Sequence, residues 1–342
     1  MIGRTIEAKR IEQLSKFIDE SRKVVITCHI APDGDALGSS LALAAVLKAL
    51  KKDVRVVTPD TPPKILRFLP GFNEIVVFSK NEELTRKLFA AADLIFSLDY
   101  NALSRIDRVG PYLKDSTARK VMIDHHLYPE NFTDIVISHP EDSSTSMLIY
   151  KVLCQLGMSK LINKTVAKCI YTGMMTDTGN FAYNSNDPDI YLIISELLKR
   201  GVNKDEIYNR VFNTTTASRL RLNGFALSEK MKIFEGHHAA LITLTRKELN
   251  KFHYHKGDTE SLVNQPLKVP EVIYSFYLRE ESDYIKVSAR SRGNFPVNKI
   301  CEKHFGGGGH LNAAGGEFRG TMEEAIEKFM SILDENDEML NS

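Results

Sequence analysis

Short apolar runs alternate with helical stretches along the first part of the chain. Residues 24–26 (Val-Val-Ile) and 94–96 (Leu-Ile-Phe) are continuously apolar, which is typical of strands buried on both faces. Helical patterns such as residues 36–50 separate these runs. Because neighbouring parallel strands require long crossover connections, this alternation indicates a mostly parallel sheet flanked by helices. We therefore predict an α/β unit over residues 1–190, with strands at residues 23–28, 54–58, 74–78, 94–98 and 120–123.

The pattern changes towards the carboxyl terminus. Residues 191–225 have a helical pattern, with Gly201 as a C-cap and Asn203 as an N-cap, and we predict that they form a linker. Beyond them, β-rich segments indicate a second, smaller α/β domain with a mixed sheet over residues 226–342. Its predicted strands are residues 232–235, 239–245, 272–279 and 284–290, and its predicted last helix is residues 322–333.

The composition limits the partners of the chain. The 342 residues are enough for two domains, and 45 Lys and Arg residues against 44 Asp and Glu residues give a formal charge of +1. This balance provides no global field for a long nucleic acid or an anionic membrane, so a polyanionic ligand must be held locally. No apolar run is long enough to span a bilayer and no secretion signal is evident, so we expect a cytoplasmic protein without membrane contact.

Carboxylate and imidazole side chains recur where predicted strands or helices end. Because the carboxyl ends of parallel strands share one edge of a sheet, we expect these side chains to lie together. Taken singly, each has a simpler explanation as a polar turn or a helix cap. Taken as a set, they predict a hydrolase with two metal ions. The set consists of His29, Asp33 and Asp35 after the first strand, Asp99 after the fourth, Asp124, His125 and His126 after the fifth, and Asp177 after a helix.

Four consecutive glycines, residues 306–309, precede His310 in the second domain. Such a run is commonly a flexible linker, but this one lies between predicted elements and near basic residues, which equally suits a fixed anion-binding nest. Arg290, at a predicted strand end, is suited either to bidentate phosphate contact or to a solvated strand edge. Spacing alone leaves these alternatives open.

The motifs of the first domain resemble a known family. Residues 29–39 have the pattern H-x-x-P-D-G-D-A-x-G-S, followed in order by a strand-end aspartate, D-H-H and, at residues 173–181, G-x-x-T-D-T-G-x-F. This series resembles the DHH phosphoesterases over essentially the whole chain. The resemblance implies that His126 faces the scissile phosphate and that Asp124 orients its neighbours. It implies His29, Asp33 and Asp99 as ligands of one metal ion, and Asp35, Asp99, His125 and Asp177 as ligands of the other.

Two divalent cations suit this chemistry. Held about 3.5–4 Å apart, they can activate a water molecule and neutralise the charge that develops on phosphoryl oxygens. Carboxylate and imidazole ligands without a thiolate favour Mn²⁺, with Mg²⁺ or Co²⁺ as alternatives. We therefore expect two divalent ions, and Mn²⁺ is the expected metal.

The second domain carries its own resemblance. The pattern S-x-R-S at residues 288–291, followed by G-G-G-G-H-x-x-A-A-G at residues 306–315, is similar to the DHH-associated domain. In that domain the motif binds the nucleotide part of the substrate, so the resemblance implies an active site between the two domains. The implied substrate-binding residues are Arg290, Ser291, Gly307, Gly308, Gly309 and His310.

The two-domain form is most similar to oligoribonucleases that also act on 3′-phosphoadenosine 5′-phosphate. We therefore expect hydrolysis of short oligoribonucleotides to mononucleotides, and of 3′-phosphoadenosine 5′-phosphate to AMP and phosphate. Three alternatives remain: a phosphodiesterase for cyclic di-AMP or a linear dinucleotide, an exopolyphosphatase-like phosphatase, and a non-catalytic nucleotide-binding regulator. The expected partners are short RNA or small nucleotides. No long nucleic-acid groove is indicated, and a homodimer is left open.

Overall fold

The computed structural model describes residues 6–340, apart from the side chains of residues 338 and 339. The chain divides into two compact units, the first ending at Thr214 and the second beginning at Thr215. This division falls inside the segment predicted as a linker, residues 191–225. As domain boundaries, residues 190 and 226 stay a prediction.

The first unit contains a sheet of parallel strands with helices around it, which confirms the predicted α/β class. Its strands, within the described residues, are β1 (Lys23–Thr27), β2 (Asp53–Thr58), β3 (Val76–Val77), β4 (Leu94–Leu98), β5 (Arg119–Asp124) and β6 (Ile135–Ser138). Its helices are α1 (Ala8–Glu20), α2 (Gly34–Ala49), α3 (Glu82–Ala91), α4 (Gly110–Asp115), α5 (Thr145–Gln155), α6 (Lys164–Asp177), α7 (Pro188–Lys199) and α8 (Lys204–Val211).

The strand order of this sheet is β3-β2-β1-β4-β5-β6, and every pairing is parallel. The order reverses between β1 and β4, which pair with Ile26 opposite Phe96. Ligands of open α/β sheets bind at such a reversal point, beyond the carboxyl ends of the strands. The topology therefore places a crevice where residues 28–35 and Asp99 leave the sheet.

The two faces of the sheet have different cores. Ile26 and Phe96 contribute to a large cluster that also contains the buried faces of α2, α5 and α6. Val25 and Ile95 point the other way, into a smaller cluster with residues of α3 and α4. Strands covered on both faces have no polar face, which explains why β1 and β4 are apolar runs.

The predicted linker helices belong to different units. Ile193 and Leu197 of α7 and Ile207 of α8 are buried in the main core of the first unit. Helix α9 (Ala217–Phe225) instead buries Leu222 in a core cluster of the second unit. Each of these helices thus buries apolar residues in the core of the unit to which it belongs.

The second unit contains a mixed sheet in the order β11-β12-β10-β9-β8-β7, in which only β8 and β9 pair in parallel among the described residues. Its strands are β7 (Met231–Phe234), β8 (Ala239–Leu244), β9 (Tyr274–Glu280), β10 (Ile285–Ser291), β11 (Gly308–His310) and β12 (Ala313–Phe318). Its remaining helices are α10 (Arg246–Lys251), α11 (Val297–Phe305), α12 (Met322–Ser331) and α13 (Leu333–Leu340).

Three details differ from the sequence expectations. The strand predicted at residues 74–78 is reduced to Val76–Val77. The single helix predicted at residues 322–333 is two helices, α12 and α13, separated at Ile332. Part of the glycine run is neither a linker nor a loop, because Gly308 and Gly309 belong to β11 and pair with β12. None of the helices in the described part of the chain combines the length and the apolar character that a membrane span requires.

Candidate metal centre

His29 lies just beyond β1 and is 7 % exposed. Its Nδ1–H donates to the carbonyl oxygen of Ile30 at 2.7 Å, which orients the ring and leaves Nε2 for a ligand. This Nε2 lies 3.4 Å from Oδ2 of Asp99 and 3.8 Å from Oδ2 of Asp33. Three ligand-type atoms therefore converge at the reversal point of the sheet.

Asp33 caps the amino terminus of α2. Its Oδ1 accepts hydrogen bonds from the backbone N–H groups of Asp35 and Ala36, each at 3.0 Å. Its Oδ2 is the oxygen that faces His29. One carboxylate thus serves both alternatives raised by the sequence, since one oxygen caps the helix while the other is placed for a metal ion.

Asp99 has a left-handed backbone, with φ of +64°, which is uncommon for a residue with a side chain. It is 2 % exposed, and its two carboxylate oxygens face different neighbours. Oδ2 lies 3.4 Å from Nε2 of His29, and Oδ1 lies 3.6 Å from Nε2 of His125. A carboxylate with this arrangement can bridge two metal ions.

A second group of ligand-type atoms lies on the other side of Asp99. Nε2 of His125 is 3.4 Å from Oδ2 of Asp177, the last residue of α6. Asp35 completes this group, whose three ligand atoms lie within 4.8 Å of one another. The structure therefore brings together every side chain that the sequence analysis proposed as a metal ligand, in two groups with Asp99 between them.

Two glycines allow α2 and α6 to approach closely enough for Asp35 and Asp177 to lie in one group. A Cβ atom on Gly38 of α2 would lie 2.6 Å from the carbonyl oxygen of Cys169 in α6. A Cβ atom on Gly173 of α6 would lie 2.7 Å from Oδ1 of Asp35 and 1.9 Å from Oγ of Ser146. A side chain at position 38 would therefore push α2 and α6 apart, and one at position 173 would displace the side chains of Asp35 and Ser146.

The buried carboxylate of Asp35 is held by the amino terminus of α5. Its Oδ2 accepts the backbone N–H of Thr145 at 2.6 Å, and its Oδ1 accepts that of Ser146 at 2.9 Å. The positive end of the helix dipole adds to this stabilisation of negative charge. The Thr145 hydroxyl also donates to Oδ1 of Asp99 at 2.9 Å. Sequence reasoning missed these contacts, although Ser-Ser-Thr-Ser at residues 143–146 is typical of a helix start.

Asp124 is fully buried at the end of β5 and contacts His126 twice. Its Oδ1 accepts the Nδ1–H of His126 at 2.7 Å, and its Oδ2 accepts the backbone N–H at 3.0 Å. The hydrogen bond to Asp124 raises the pKa of the His126 imidazole. Nδ1 of His126 is 3.9 Å from Oδ1 of Asp99, so this ring lies beside the two ligand groups.

The ligand cluster carries an excess of negative charge. Burial raises the pKa of Asp35, and the neighbouring carboxylates of Asp99 and Asp177 raise it further. Burial likewise raises the pKa of Asp177 to about 6. Burial also acts against ionised Asp99, but the hydrogen bond and charge of His29, with the charges of the other two histidines, lower its pKa overall. Carboxylates that repel one another in this way are stabilised by a bound cation.

The donor set fits divalent ions that prefer oxygen and imidazole ligands. It consists of carboxylate oxygens and two imidazole nitrogens, and it contains no thiolate. Cys28 lies next to His29 in sequence, but it is fully buried, and burial raises the pKa of its thiol well above the ordinary value. These residues therefore fit two hard or borderline divalent cations.

A groove in the second unit contains part of the predicted substrate-binding set. It has a volume of about 570 Å³, within the range of about 300–1,000 Å³ that is usual for small-ligand sites. Arg290, Gly307 and Gly308 line it. Lys286 and Ser288 line it too, because alternate residues of β10 share one face with Arg290. The sequence analysis did not propose these two residues as substrate-binding residues. The alternation of side chains along β10 would have predicted that they share a face with Arg290.

The other predicted substrate-binding residues are placed differently. The Ser291 side chain is buried, and its hydroxyl donates to the carbonyl oxygen of Phe295 at 2.6 Å and accepts from Asn312. Gly309 has φ of +147° and lies so close to β12 that a Cβ atom would be 2.4 Å from the carbonyl oxygen of Ala313. His310 is exposed at the end of β11. Their role in substrate binding stays a prediction.

Comparison with protein families accounts for both units. The model of the DHH family, N-terminal domain, matches residues 23–174, and the DHHA1 domain matches residues 239–337. A Thermus thermophilus protein named bifunctional oligoribonuclease and PAP phosphatase NrnA is 32% identical over 313 residues, which cover 91% of this chain and 89% of that protein. This chain belongs to the DHH family. It is therefore a phosphoesterase, as the sequence motifs indicated.

Two further proteins are similar to this DHH protein. The crystal structure of an exopolyphosphatase-related protein from Bacteroides fragilis is 48% identical, with a TM-score of 0.90, and the match covers 99% of this chain and 100% of that one. The cyclic-di-AMP phosphodiesterase PdeA of Listeria monocytogenes is 27% identical over 96% of this chain but only 50% of that protein. The first likeness confirms the fold, and the second extends over about half of a longer protein.

Proposed function

We propose that this protein is a metal-dependent hydrolase that degrades short oligoribonucleotides to mononucleotides and converts 3′-phosphoadenosine 5′-phosphate to AMP and phosphate. The observation that carries the proposal is the position of Asp99, whose two oxygens face two separate groups of ligand atoms. The similarity to the Thermus NrnA protein, over nearly the full length of both chains, supports this choice of substrates.

The residues of the first unit would hold two divalent cations, for which we propose Mn²⁺. His29, Asp33 and Asp99 would bind one ion, and Asp35, Asp99, His125 and Asp177 the other. When bound, such ions supply a nucleophile at neutral pH and neutralise charge on the phosphoryl oxygens. The chain itself contributes preorganised ligands, since most of these side chains are already held by hydrogen bonds to backbone or neighbouring groups.

His126 is the candidate for proton transfer. Its ring is oriented by the buried Asp124 carboxylate, which also favours the protonated form of the imidazole. The opposite nitrogen, Nε2, is then available to donate a proton or a hydrogen bond to the phosphate ester. In this role Asp124 positions and polarises His126 rather than contacting the substrate.

The groove of the second unit would bind the nucleotide. Arg290 and Lys286 provide positive charge on one face of β10, and Ser288 lies between them. Glycines 307 and 308 at the groove wall have no side chain, so a phosphate can approach their backbone. A short local patch of this kind suits a nucleotide or a few linked nucleotides, which agrees with the near-neutral charge of the whole chain. We also propose a cytoplasmic location, where short RNA fragments arise.

Cyclic di-AMP or its linear product is the second candidate substrate, favoured by the likeness to PdeA. A panel of substrates tests both candidates. Purified protein would be incubated with Mn²⁺ and with Mg²⁺ separately, on a diribonucleotide, a five-nucleotide RNA, 3′-phosphoadenosine 5′-phosphate, cyclic di-AMP and polyphosphate, and the products identified by chromatography. We expect turnover of the first three. Faster turnover of cyclic di-AMP would favour the second candidate, and hydrolysis of none would contradict the proposal.

A further inference from the structure

A buried ion pair lies close to the candidate metal centre, and neither of its members is a proposed metal ligand. Nζ of Lys151 in α5 is 2.6 Å from Oδ1 of Asp142, and both side chains are almost completely buried, at 2 % and 1 % exposed. Asp189, in the first turn of α7, also lies near the ammonium group, with its Oδ2 4.0 Å from Nζ. A charged group is rarely this inaccessible in a protein, because removing it from water is costly.

The segment that contains Asp142 contacts three of the proposed metal ligands. The carbonyl oxygen of Asp142 accepts the Nδ1–H of His125 at 3.2 Å. Three residues further on, the segment enters α5. The first backbone N–H groups of this helix hold the Asp35 carboxylate, and the Thr145 hydroxyl donates to Asp99. We name residues 142–146 the support segment, because they contact members of both groups of proposed metal ligands.

We propose that the ion pair between Lys151 and Asp142 positions the support segment, and through it the ligands His125, Asp35 and Asp99. Lys151 lies in α5 about one and a half turns beyond the support segment, and its ammonium group connects this helix to the Asp142 side chain. The contact fixes the direction of the Asp142 carbonyl relative to the amino terminus of α5. The inference rests on the proposed function in taking these three side chains as metal ligands.

Stability alone does not account for such a pair. Replacing both members of a buried ion pair with apolar side chains of similar volume is often neutral or stabilising, whereas removing one member is strongly destabilising. Leu148, Val152 and Leu153, which neighbour Lys151 on the same helix, are all buried in the core. Asp189 also faces Lys151, but it lies in the first turn of α7, where the helix dipole stabilises its negative charge. An apolar pair would fit this environment, but it would lack a directional contact to hold the Asp142 carbonyl on His125.

Two variants separate positioning from stability. In Asp142→Leu combined with Lys151→Met, both charges are replaced by side chains of comparable size. Asp142→Asn keeps the shape of the side chain and removes one charge. The matched control is Leu153→Ala, which removes buried packing on the same helix at a position outside the support segment. For each protein we would measure thermal unfolding without metal, the Mn²⁺ dissociation constant by calorimetry, and kcat and KM for a diribonucleotide.

We expect the double variant to unfold at or near the parent temperature but to bind Mn²⁺ about 10- to 100-fold more weakly, the usual effect of changing a group behind a metal ligand. Its kcat should fall while KM is unchanged, because the proposed nucleotide groove is not altered. Asp142→Asn should also weaken Mn²⁺ binding, whereas Leu153→Ala should lower the unfolding temperature and keep the parent affinity.

Parent-like Mn²⁺ affinity in both Asp142 variants would overturn the inference and leave the pair a structural feature. If the double variant did not fold, Asp142→Asn would still decide the question. The metal-binding measurement needs no substrate. Failure of the parent to hydrolyse any nucleotide would therefore contradict the proposed function without changing the outcome of this comparison.

Discussion

Asp124→Asn tests how His126 acts. Asp124 is fully buried and accepts two hydrogen bonds from His126, one from the backbone N–H and one from the ring. An asparagine has nearly the same shape, but only its oxygen can accept. Its NH₂ group would face the other donor. The variant therefore loses one hydrogen bond and the negative charge that favours the imidazolium form of His126.

The magnitude follows from the strength of that bond. A hydrogen bond to a charged group contributes about 1.5–3 kcal/mol. The lower end applies because the His126 side chain is 35 % exposed and solvent screens the interaction. About 1.5 kcal/mol corresponds to a decrease in kcat of roughly tenfold. Since the Asp124 carboxylate raises the pKa of His126, its loss should also move the basic limb of the kcat profile to lower pH.

The assay is hydrolysis of a diribonucleotide at saturating Mn²⁺ between pH 5.5 and 9. Asp93→Asn is the matched control: Asp93 also accepts two backbone N–H groups, but at the amino end of the sheet, opposite the metal centre. It should keep the parent profile. A parent-like rate and pH profile for Asp124→Asn would refute the role assigned to His126. A loss confined to Mn²⁺ affinity would make Asp124 a support of the metal ligands instead.

Four further changes have defined outcomes. Asp99→Asn should reduce kcat by at least about a hundredfold and lower the number of Mn²⁺ ions bound, measured by calorimetry; a mild effect would contradict a bridging role. Gly173→Ala should lower the unfolding temperature and weaken Mn²⁺ binding, because its methyl group would lie 2.7 Å from the Asp35 carboxylate. Mn²⁺ affinity should rise from pH 5 to 7, because the ion displaces protons from carboxyl groups of raised pKa, about 6 for Asp177; a flat pH profile would contradict this. Arg290→Ala should raise KM for the diribonucleotide and leave Mn²⁺ affinity unchanged, and a parent-like KM would remove this residue from the nucleotide site.

Several parts of the fold and site were predictable from local patterns. The apolar runs that became β1 and β4, and the polar residues directly after them, specify strands and their carboxyl ends without reference to the rest of the chain. Parallel pairing then requires those ends to share an edge, which is why His29 and Asp99 meet. The residues that directly follow the strands could therefore be expected at one site before any geometry was available, because the carboxyl ends of parallel strands lie at the same edge of the sheet.

Other parts could not be predicted because they depend on contacts between distant segments. The short edge strand β6 is an exception: the sequence analysis missed it, although its Ile-Val-Ile run at residues 135–137 is a strand signal of the same kind as that of β1. Gly308 and Gly309 form a strand because β12 lies alongside them, while the same sequence in isolation favours a flexible chain. The hydrogen bonds from Thr145 and Ser146 to Asp35 join residues 110 and 111 positions apart.

The amino-acid sequence by itself determined the parallel sheet, through the periodicity of its apolar runs, and the family, through the resemblance of its motifs. It also showed which side chains have the chemistry to bind a metal ion, since this follows from residue type. Only the tertiary structure decided how each proposed metal ligand is held: the left-handed Asp99 has its two oxygens facing two groups of ligand-type atoms, and helix α5 supports Asp35. It also decided that Arg290 lines the groove of the second unit, whereas the side chain of Ser291 is buried. The physical reason is that residue type sets what a group can do, whereas its orientation depends on packing and hydrogen bonds made across the whole unit.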